Sequence, residues 1–263
     1  MNGQRPSISS VHGIVAAAHP LAAAAGARIL SEGGNAFDAA VAVAAALGVV
    51  EPFMSGIAGS GVATVYAAAE RRVRCLQFRG GVPVAFPVGR YSRREEMYRG
   101  AMAATAPGNL AGWCAMLERY GSRSLTEVLA PAVALARDGV PLIDYSVASI
   151  NASAEELAAY PFFNEWRRVY QAGGGAVRAG QVLRQPDLAA TFAALGAEGP
   201  GLLYGGALGE RLLAHLATLG GCLSMADLLA MRARWVEPAS AAYRTLVVHA
   251  PPPPCSAYQF LLG

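Results

Sequence analysis

The 263-residue sequence is long enough to form a substantial hydrophobic core, as one large domain or two small ones. Hydrophobic residues make up 54% and charged residues 15%, which excludes intrinsic disorder, because disordered chains combine low hydrophobicity with high net charge. The formal charge of +3 rests on arginines scattered along the whole chain, and no basic stripe suits a phosphate backbone. We therefore expect no nucleic-acid partner.

Cysteine, histidine and the hydropathy pattern exclude further classes. The four cysteines include no C-x-x-C pair and the four histidines are isolated, so we predict reduced, buried thiols, no metal and no cofactor. The first ten residues lack the apolar segment of a secretory signal. The two long uncharged runs, 52–69 and 100–117, are interrupted by glycine or proline. These features predict a cytoplasmic protein without a membrane segment.

The N-terminal part of the chain shows a strand pattern followed by two helix patterns. Residues 11–18 form an apolar run that predicts a short buried strand, and Pro20 suits the first turn of the next helix. Asn35 is a candidate N-cap of a second helix, with Asp38 at its third position. A carboxylate there stabilises the helix start by about 1 kcal/mol, and we favour this function over a catalytic role.

A β-hairpin is predicted next. Val62, Thr64 and Tyr66 recur with the period of two that is typical of a strand, and residues 73–78 provide an apolar partner strand. The glycine-rich segment before the hairpin lacks the lysine of a phosphate-binding loop and precedes a strand instead of following one. It is therefore a weak indication of nucleotide binding.

Helices dominate the remainder. Pro107 opens a helix that Gly121 ends, and the next begins with a capping box of Ser124 and Glu127, with a kink or restart expected at Pro131. Residues 151–184 are less regular, contain a surface run of glycines and are where any lobe boundary is expected. Three more helices are predicted, from Pro186, over 208–219 and after Ser224. The chain then continues with a strand over 245–249, an extended stretch over 251–254 and the start of an apolar helix over 256–263.

No self-contained hydrolase site is visible in the sequence. The motifs G-x-S-x-G, S-x-x-K and H-E-x-x-H are all missing. Glu95 and Glu96 lie among three arginines, Arg93, Arg94 and Arg99, and this cluster is most simply a solvated charged surface. These residues therefore give no indication of general acid and base chemistry.

Arg79 is the strongest candidate for ligand binding. It follows an apolar strand that ends in Phe78, and Gly80 and Gly81 allow other groups to approach closely. A guanidinium held in this way suits bidentate binding of a carboxylate, a contact that contributes about 1.5 to 3 kcal/mol. The alternative is a strand-end arginine paired with a nearby acid, and the spacing alone leaves both open.

Five segments, in order, now point to a known family. They are HPLAAAAGARILSEGGNAFDAAVAVAAALGVVEPFMSGIAGSG, LQFRGGVP, TAPGNLAGWCAMLERYGSRSLTEVLAPAVALARDGVPL, QPDLAATF and YRTLVVHAPPPPCS. In these residues the sequence resembles the gamma-glutamyltransferases (gamma-glutamyltranspeptidases) of the N-terminal nucleophile hydrolase superfamily. The resemblance covers most of the chain, and G-G-N-A-x-D-A-A-V-A together with V-E-P-x-x-S-G-I-x-G is a specific combination.

The resemblance implies an α+β, helix-rich fold, the large-subunit half of a four-layer αββα sandwich, with residues 1–263 as a single domain. Family proenzymes cleave themselves, and the new N-terminal Thr of the small (beta) subunit is the nucleophile, with its own amine as the base. The six threonines of this sequence lie in no segment like the cleavage motif. No catalytic residue is therefore expected in this chain, and its expected partner is a small subunit that begins with Thr.

Arg79 matches the family arginine that follows the F of the DFRE segment and binds the alpha-carboxylate of the gamma-glutamyl group. The implied substrate is a small gamma-glutamyl or related amide, such as glutathione. Three departures from the family pattern bear on its identity: Gly80-Gly81 replaces the usual Glu-Thr, A-G-S-G at 58–61 replaces a run of glycines, and C-S-A-Y at 255–258 replaces S-S-G-G.

Two alternatives remain open. Some relatives in the family hydrolyse amides of other small acids or the acyl side chains of beta-lactams, so the acyl group is not fixed by the resemblance. The chain could instead be an inert fragment or pseudoenzyme that binds a partner chain or a small carboxylate. Half of a sandwich leaves a sheet face or edge uncovered, so we expect tight association with the small subunit.

Overall fold

A computed structural model describes residues 8–91 and 97–262. Of the charged cluster predicted around Glu95 and Glu96, only Arg99 lies within these ranges, and it is ion-paired with Glu156. The helices of the described residues are α1 (Pro20–Ser31), α2 (Ala36–Val50), α3 (Asn109–Tyr120), α4 (Leu125–Asp138), α5 (Asp144–Leu157), α6 (Phe163–Tyr170), α7 (Pro186–Glu198), α8 (Ala207–Thr218) and α9 (Met225–Ala230). The strands are β1 (Gly61–Ala67), β2 (Arg72–Phe78), β3 (Val140–Pro141), β4 (Val182–Leu183), β5 (Arg234–Val236), β6 (Ala239–Tyr243) and β7 (Leu246–Ala250).

The predicted α+β, helix-rich class is confirmed. Strand β2 is the centre of a three-stranded antiparallel sheet, with β1 on one side and β5 on the other. Two smaller antiparallel pairs, β3 with β4 and β6 with β7, complete the strands of the described part. Helix α2 packs between α1 and α4, and α4 packs on α7, so the helices bury an alanine-rich core. The single-domain assignment stays a prediction.

Local sequence signals place most helix starts where we predicted them. Pro20 occupies the first turn of α1. Capping boxes begin three helices, with Asn35 and Asp38 at α2, Ser124 and Glu127 at α4, and Ser224 and Asp227 at α9. Each box satisfies backbone N–H groups that the first helical turn leaves without a partner.

Three expectations differ from the structure. Residues 11–18 form no strand, because they have no ladder partner in the described part of the chain, and Val11 and Ile14 are exposed. Helix α4 continues through Pro131 without a restart. The last element, Ser256–Leu261, is a 3-10 helix whose Phe260 is exposed, because it has no neighbour on that side to pack against.

Segment 151–184 is more regular than its sequence indicates, since it contains the end of α5 and all of α6. The three glycines at 173–175 are exposed, as predicted. All four cysteines are free thiols, as predicted, but only Cys75 is buried and the other three are partly exposed. Within residues 8–91 and 97–262, none of the helices has the length and apolar character that crossing a bilayer requires.

Candidate functional site

Arg79 lies exposed at the end of β2, where the chain leaves the sheet. Its Nη1 atom donates a hydrogen bond to the carbonyl oxygen of Pro254 at 3.1 Å. Among the residues that the structure describes, no aspartate or glutamate lies within salt-bridge distance of its guanidinium. The alternative of an arginine paired with a nearby acid therefore finds no such acid in the described part of the chain. The other N–H donors of the guanidinium are left for a ligand.

The backbone that carries Arg79 is fixed by close approach of the T-A-P-G-N segment. A Cβ atom at Gly108 would lie 2.0 Å from the Phe78 carbonyl oxygen, and one at Gly80 would lie 2.2 Å from the Ala106 carbonyl oxygen. A Cβ atom at Gly112 would lie 2.3 Å from the Phe78 ring. Only glycine permits these contacts, so the end of β2 is held against the start of α3 from two sides.

The start of α3 is itself anchored. The Tyr204 hydroxyl donates to the Pro107 carbonyl at 2.7 Å and accepts from the Ala111 N–H at 3.1 Å. The backbone N–H groups of Gly108 and Asn109 both donate to the Gly59 carbonyl, at 2.8 and 2.9 Å. The Gly59 carbonyl therefore caps the start of α3, and a Cβ atom at Gly59 would lie only 2.8 Å from the Asn109 side-chain nitrogen.

Substitution of Gly80 by alanine tests this anchoring. The new methyl group would collide with the Ala106 carbonyl, so we expect Gly80→Ala to lower the free energy of unfolding by about 1 to 3 kcal/mol. Gly81→Ala is the matched control, because nothing lies within 4 Å of a Cβ at Gly81. Urea unfolding of both variants measures the difference. Equal midpoints would contradict the close packing.

A cleft of about 510 Å³ opens beside Arg79. Its lining combines the loop after β2 with the end of α9 and the start of β5. Charged side chains are prominent in this lining: Arg79, Asp227, Arg232 and Arg234. The sequence analysis singled out only Arg79 among them as a ligand residue. Arg232 and Arg234 recur with the period of two that is typical of a strand, and this spacing is the sequence pattern that predicts two arginines on one side of a strand.

Asp38, the other carboxylate that we considered, is buried and has a structural function. Besides capping α2, it accepts hydrogen bonds from the N–H and hydroxyl of Ser122 and from the N–H of Arg123. Burial alone would raise the pKa of this carboxyl, but these bonds and that from the Asn35 N–H hold the pKa below its usual value. The Asp38 carboxylate thus links the start of α2 to the segment just before α4, and both of its oxygens already accept hydrogen bonds.

The remaining nucleophilic groups have no catalytic setting. Burial, with a smaller effect of Glu118, raises the pKa of Cys114 to about 11, so this thiol is neutral at pH 7. Ser240 and His249 are hydrogen bonded across β6 and β7 at 2.6 Å, but both are exposed and the described residues place no carboxylate on the other ring nitrogen. In the described ranges, no three histidine, cysteine, aspartate or glutamate side chains are grouped as metal ligands would be.

Comparison with known proteins agrees with this architecture. The sequence profile described as Gamma-glutamyltranspeptidase matches residues 22–262. Acylase ACY 1 proenzyme of Pseudomonas sp. (strain V22) is 38% identical over 271 residues, which cover 97% of this chain and 47% of the relative. Glutathione hydrolase proenzyme of Bacillus subtilis (strain 168) is 33% identical over 257 residues, which cover 95% of this chain and 43% of the relative. The solved structure of Helicobacter pylori gamma-glutamyltranspeptidase matches with a TM-score of 0.88 and 29% identity, over 95% of this chain and 73% of that one.

The fold is thus that of the large-subunit region of gamma-glutamyltranspeptidase structures. The chain belongs to the gamma-glutamyltranspeptidase family. It spans about half the length of the curated relatives that it matches.

Proposed function

We propose that this chain is the large-subunit portion of an amidase of the gamma-glutamyltranspeptidase family, which hydrolyses or transfers an acyl group through an N-terminal Thr on a separate segment. Arg79 binds the carboxylate of that acyl group. The observation that carries the proposal is the position of Arg79, which lines an open cleft without an acid partner in the described residues, on a backbone locked by Gly80 and Gly108. Because the backbone of Arg79 is already fixed, only its side chain loses conformational entropy when a carboxylate binds.

A gamma-glutamyl amide such as glutathione is the first substrate class, in line with the name of the Bacillus subtilis relative. An amide of another small acid is the second. It is favoured by the higher identity to the acylase proenzyme, 38% against 33%, and by Gly81, which lines the cleft without a side chain and leaves open space next to Arg79.

The small subunit is the proposed partner. Strand β7 and the C-terminal 3-10 helix expose large apolar side chains, among them Leu246, Val247 and Phe260. Burial of such surface contributes about 25 cal/mol per Å² to association. The relatives named as proenzymes support processing into two chains, and the nucleophile belongs to the second.

An amidase assay of the protein expressed from its complete gene tests the proposal. The substrates are gamma-glutamyl-4-nitroanilide and 4-nitroanilides of acyl groups that lack the amino group or the carboxylate. We expect turnover of carboxylate-bearing acyl groups and little turnover of neutral ones. Absence of turnover in correctly folded protein would favour the inert alternative.

A further inference from the structure

The cleft beside Arg79 has an excess of positive charge. Three guanidinium groups, of Arg79, Arg232 and Arg234, share its lining with a single carboxylate, that of Asp227. The Ser224 hydroxyl and the Val84 N–H both donate to this carboxylate and hold its pKa below the usual value. Asp227 is therefore an ionised cap whose oxygens are occupied, and it does not pair with the arginines. Two formal positive charges remain uncompensated.

The register of the sheet places these arginines on one face. Gln77 of β2 lies opposite Arg234 of β5, and directly opposed residues project to the same side. Arg79 follows the end of β2, two residues beyond Gln77, and its contact with the same proline segment places it on that side. Gln77 donates to the carbonyls of Pro252 and Pro253, and Arg79 donates to that of Pro254, so the prolines follow this face.

Arg232, just before β5, and Arg234, at the start of β5, differ in the hydrogen bonds of their side chains. Nη1 of Arg232 donates to the carbonyls of Leu229 and Met231, both at 2.7 Å, so its head is fixed at the end of α9. Arg234 is exposed and has no hydrogen bond or ion pair through its side chain within the described ranges. Arg79 and Arg234 both line the cleft, Arg79 just beyond the end of β2 and Arg234 at the start of β5.

We propose that Arg234 binds a second carboxylate of the substrate, so that the cleft selects amides with two anionic groups, one at Arg79 and one at Arg234. The inference deepens the proposed function and rests on it. Neighbouring guanidinium groups repel one another, and a ligand with two carboxylates compensates both, whereas a monocarboxylate leaves one uncompensated. Arg232 adds to the positive potential, and its Nη1 donors are already bound to two backbone carbonyls, whereas Arg234 keeps all its donors for a ligand within the described ranges.

Calorimetric binding of glutarate and butyrate to the mature protein from the complete gene tests the inference, because these acids differ by one carboxylate. We expect glutarate to bind about tenfold or more tightly than butyrate. Arg234→Ala should remove this preference and leave butyrate affinity unchanged. Arg178→Ala is the matched control, since Arg178 is exposed, lies away from the cleft and has no ion pair among the described residues. It should keep the preference.

Three results would overturn the inference: equal affinity of wild-type protein for both acids, a preference that survives Arg234→Ala, or loss of the second chain from purified Arg234→Ala protein, which would make Arg234 an interface residue. Amide turnover is measured on the same samples. Binding with the expected preference but without turnover would contradict the proposed function and leave the anion specificity of the cleft intact.

Discussion

Replacement of Arg79 by alanine is expected to lower kcat/KM for amides with a carboxylate-bearing acyl group by about 10- to 150-fold, mainly through a higher KM. This range corresponds to one charge-assisted bidentate contact of about 1.5 to 3 kcal/mol. Arg79→Lys should fall between, because lysine keeps the charge and loses the planar pair of donors. Steady-state kinetics of the mature enzyme measures the effect.

Self-cleavage should survive in both Arg79 variants, because the proposed role of Arg79 is to bind the substrate carboxylate. Its hydrogen bond to the Pro254 carbonyl is a single exposed contact, so the unfolding midpoint should change little. Arg178→Ala controls for the loss of one surface charge. An unchanged KM in Arg79→Ala would contradict the assigned role of Arg79.

The second large effect is on stability. We expect Asp38→Ala to lower the free energy of unfolding by about 3 to 5 kcal/mol, because it leaves three backbone N–H groups and the Ser122 hydroxyl without their acceptor. Asp38→Asn should also destabilise, since both carboxylate oxygens accept hydrogen bonds and an amide nitrogen in either position would face a donor. Urea unfolding of the purified protein gives both values.

Asp144→Ala is the matched control for Asp38. Asp144 is also an acid in a first helical turn, but it is exposed, and we expect a loss below about 1 kcal/mol. The contribution of Asp38 also depends on pH. Its folded pKa is lowered, so the stabilisation is complete above about pH 4 and is lost as the pH falls through the folded pKa. The gap between wild-type and Asp38→Ala protein should therefore narrow in acid, and a constant gap would contradict this account.

Local chemistry explains which elements the sequence could predict. The capping boxes at Asn35, Ser124 and Ser224 and the proline at position 20 determine helix starts within a few residues, so they are visible without a structure. The alternation over 62–66 predicts the hairpin for the same reason. In each case the residues that form the element also contain its signal.

Elements that depend on distant partners could not be predicted. Strand β5 is three residues long and exists because Cys75 to Gln77 pair with it. Residues 11–18 have a strand pattern but no partner in the described part of the chain. Where strand formation depends on a partner that is distant in sequence or on another chain, the local sequence does not predict it.

The candidate site shows the same division. Arg79 could be proposed from the sequence because the strand end at Phe78 and the two glycines adjoin it and because it matches the family arginine. The locking of its backbone is a tertiary contact, since Gly108 meets the Phe78 carbonyl only after α3 has packed on β2. The other cleft arginines became relevant once the register set Arg234 opposite Gln77.

The most direct test of the central claim is intact mass spectrometry, with N-terminal sequencing, of the protein purified from its complete gene. We predict two polypeptides in one complex, one containing this sequence and a second that begins with Thr. A single uncleaved polypeptide, with no species that begins with Thr, would contradict the assignment of this chain as the large subunit of a self-processing amidase.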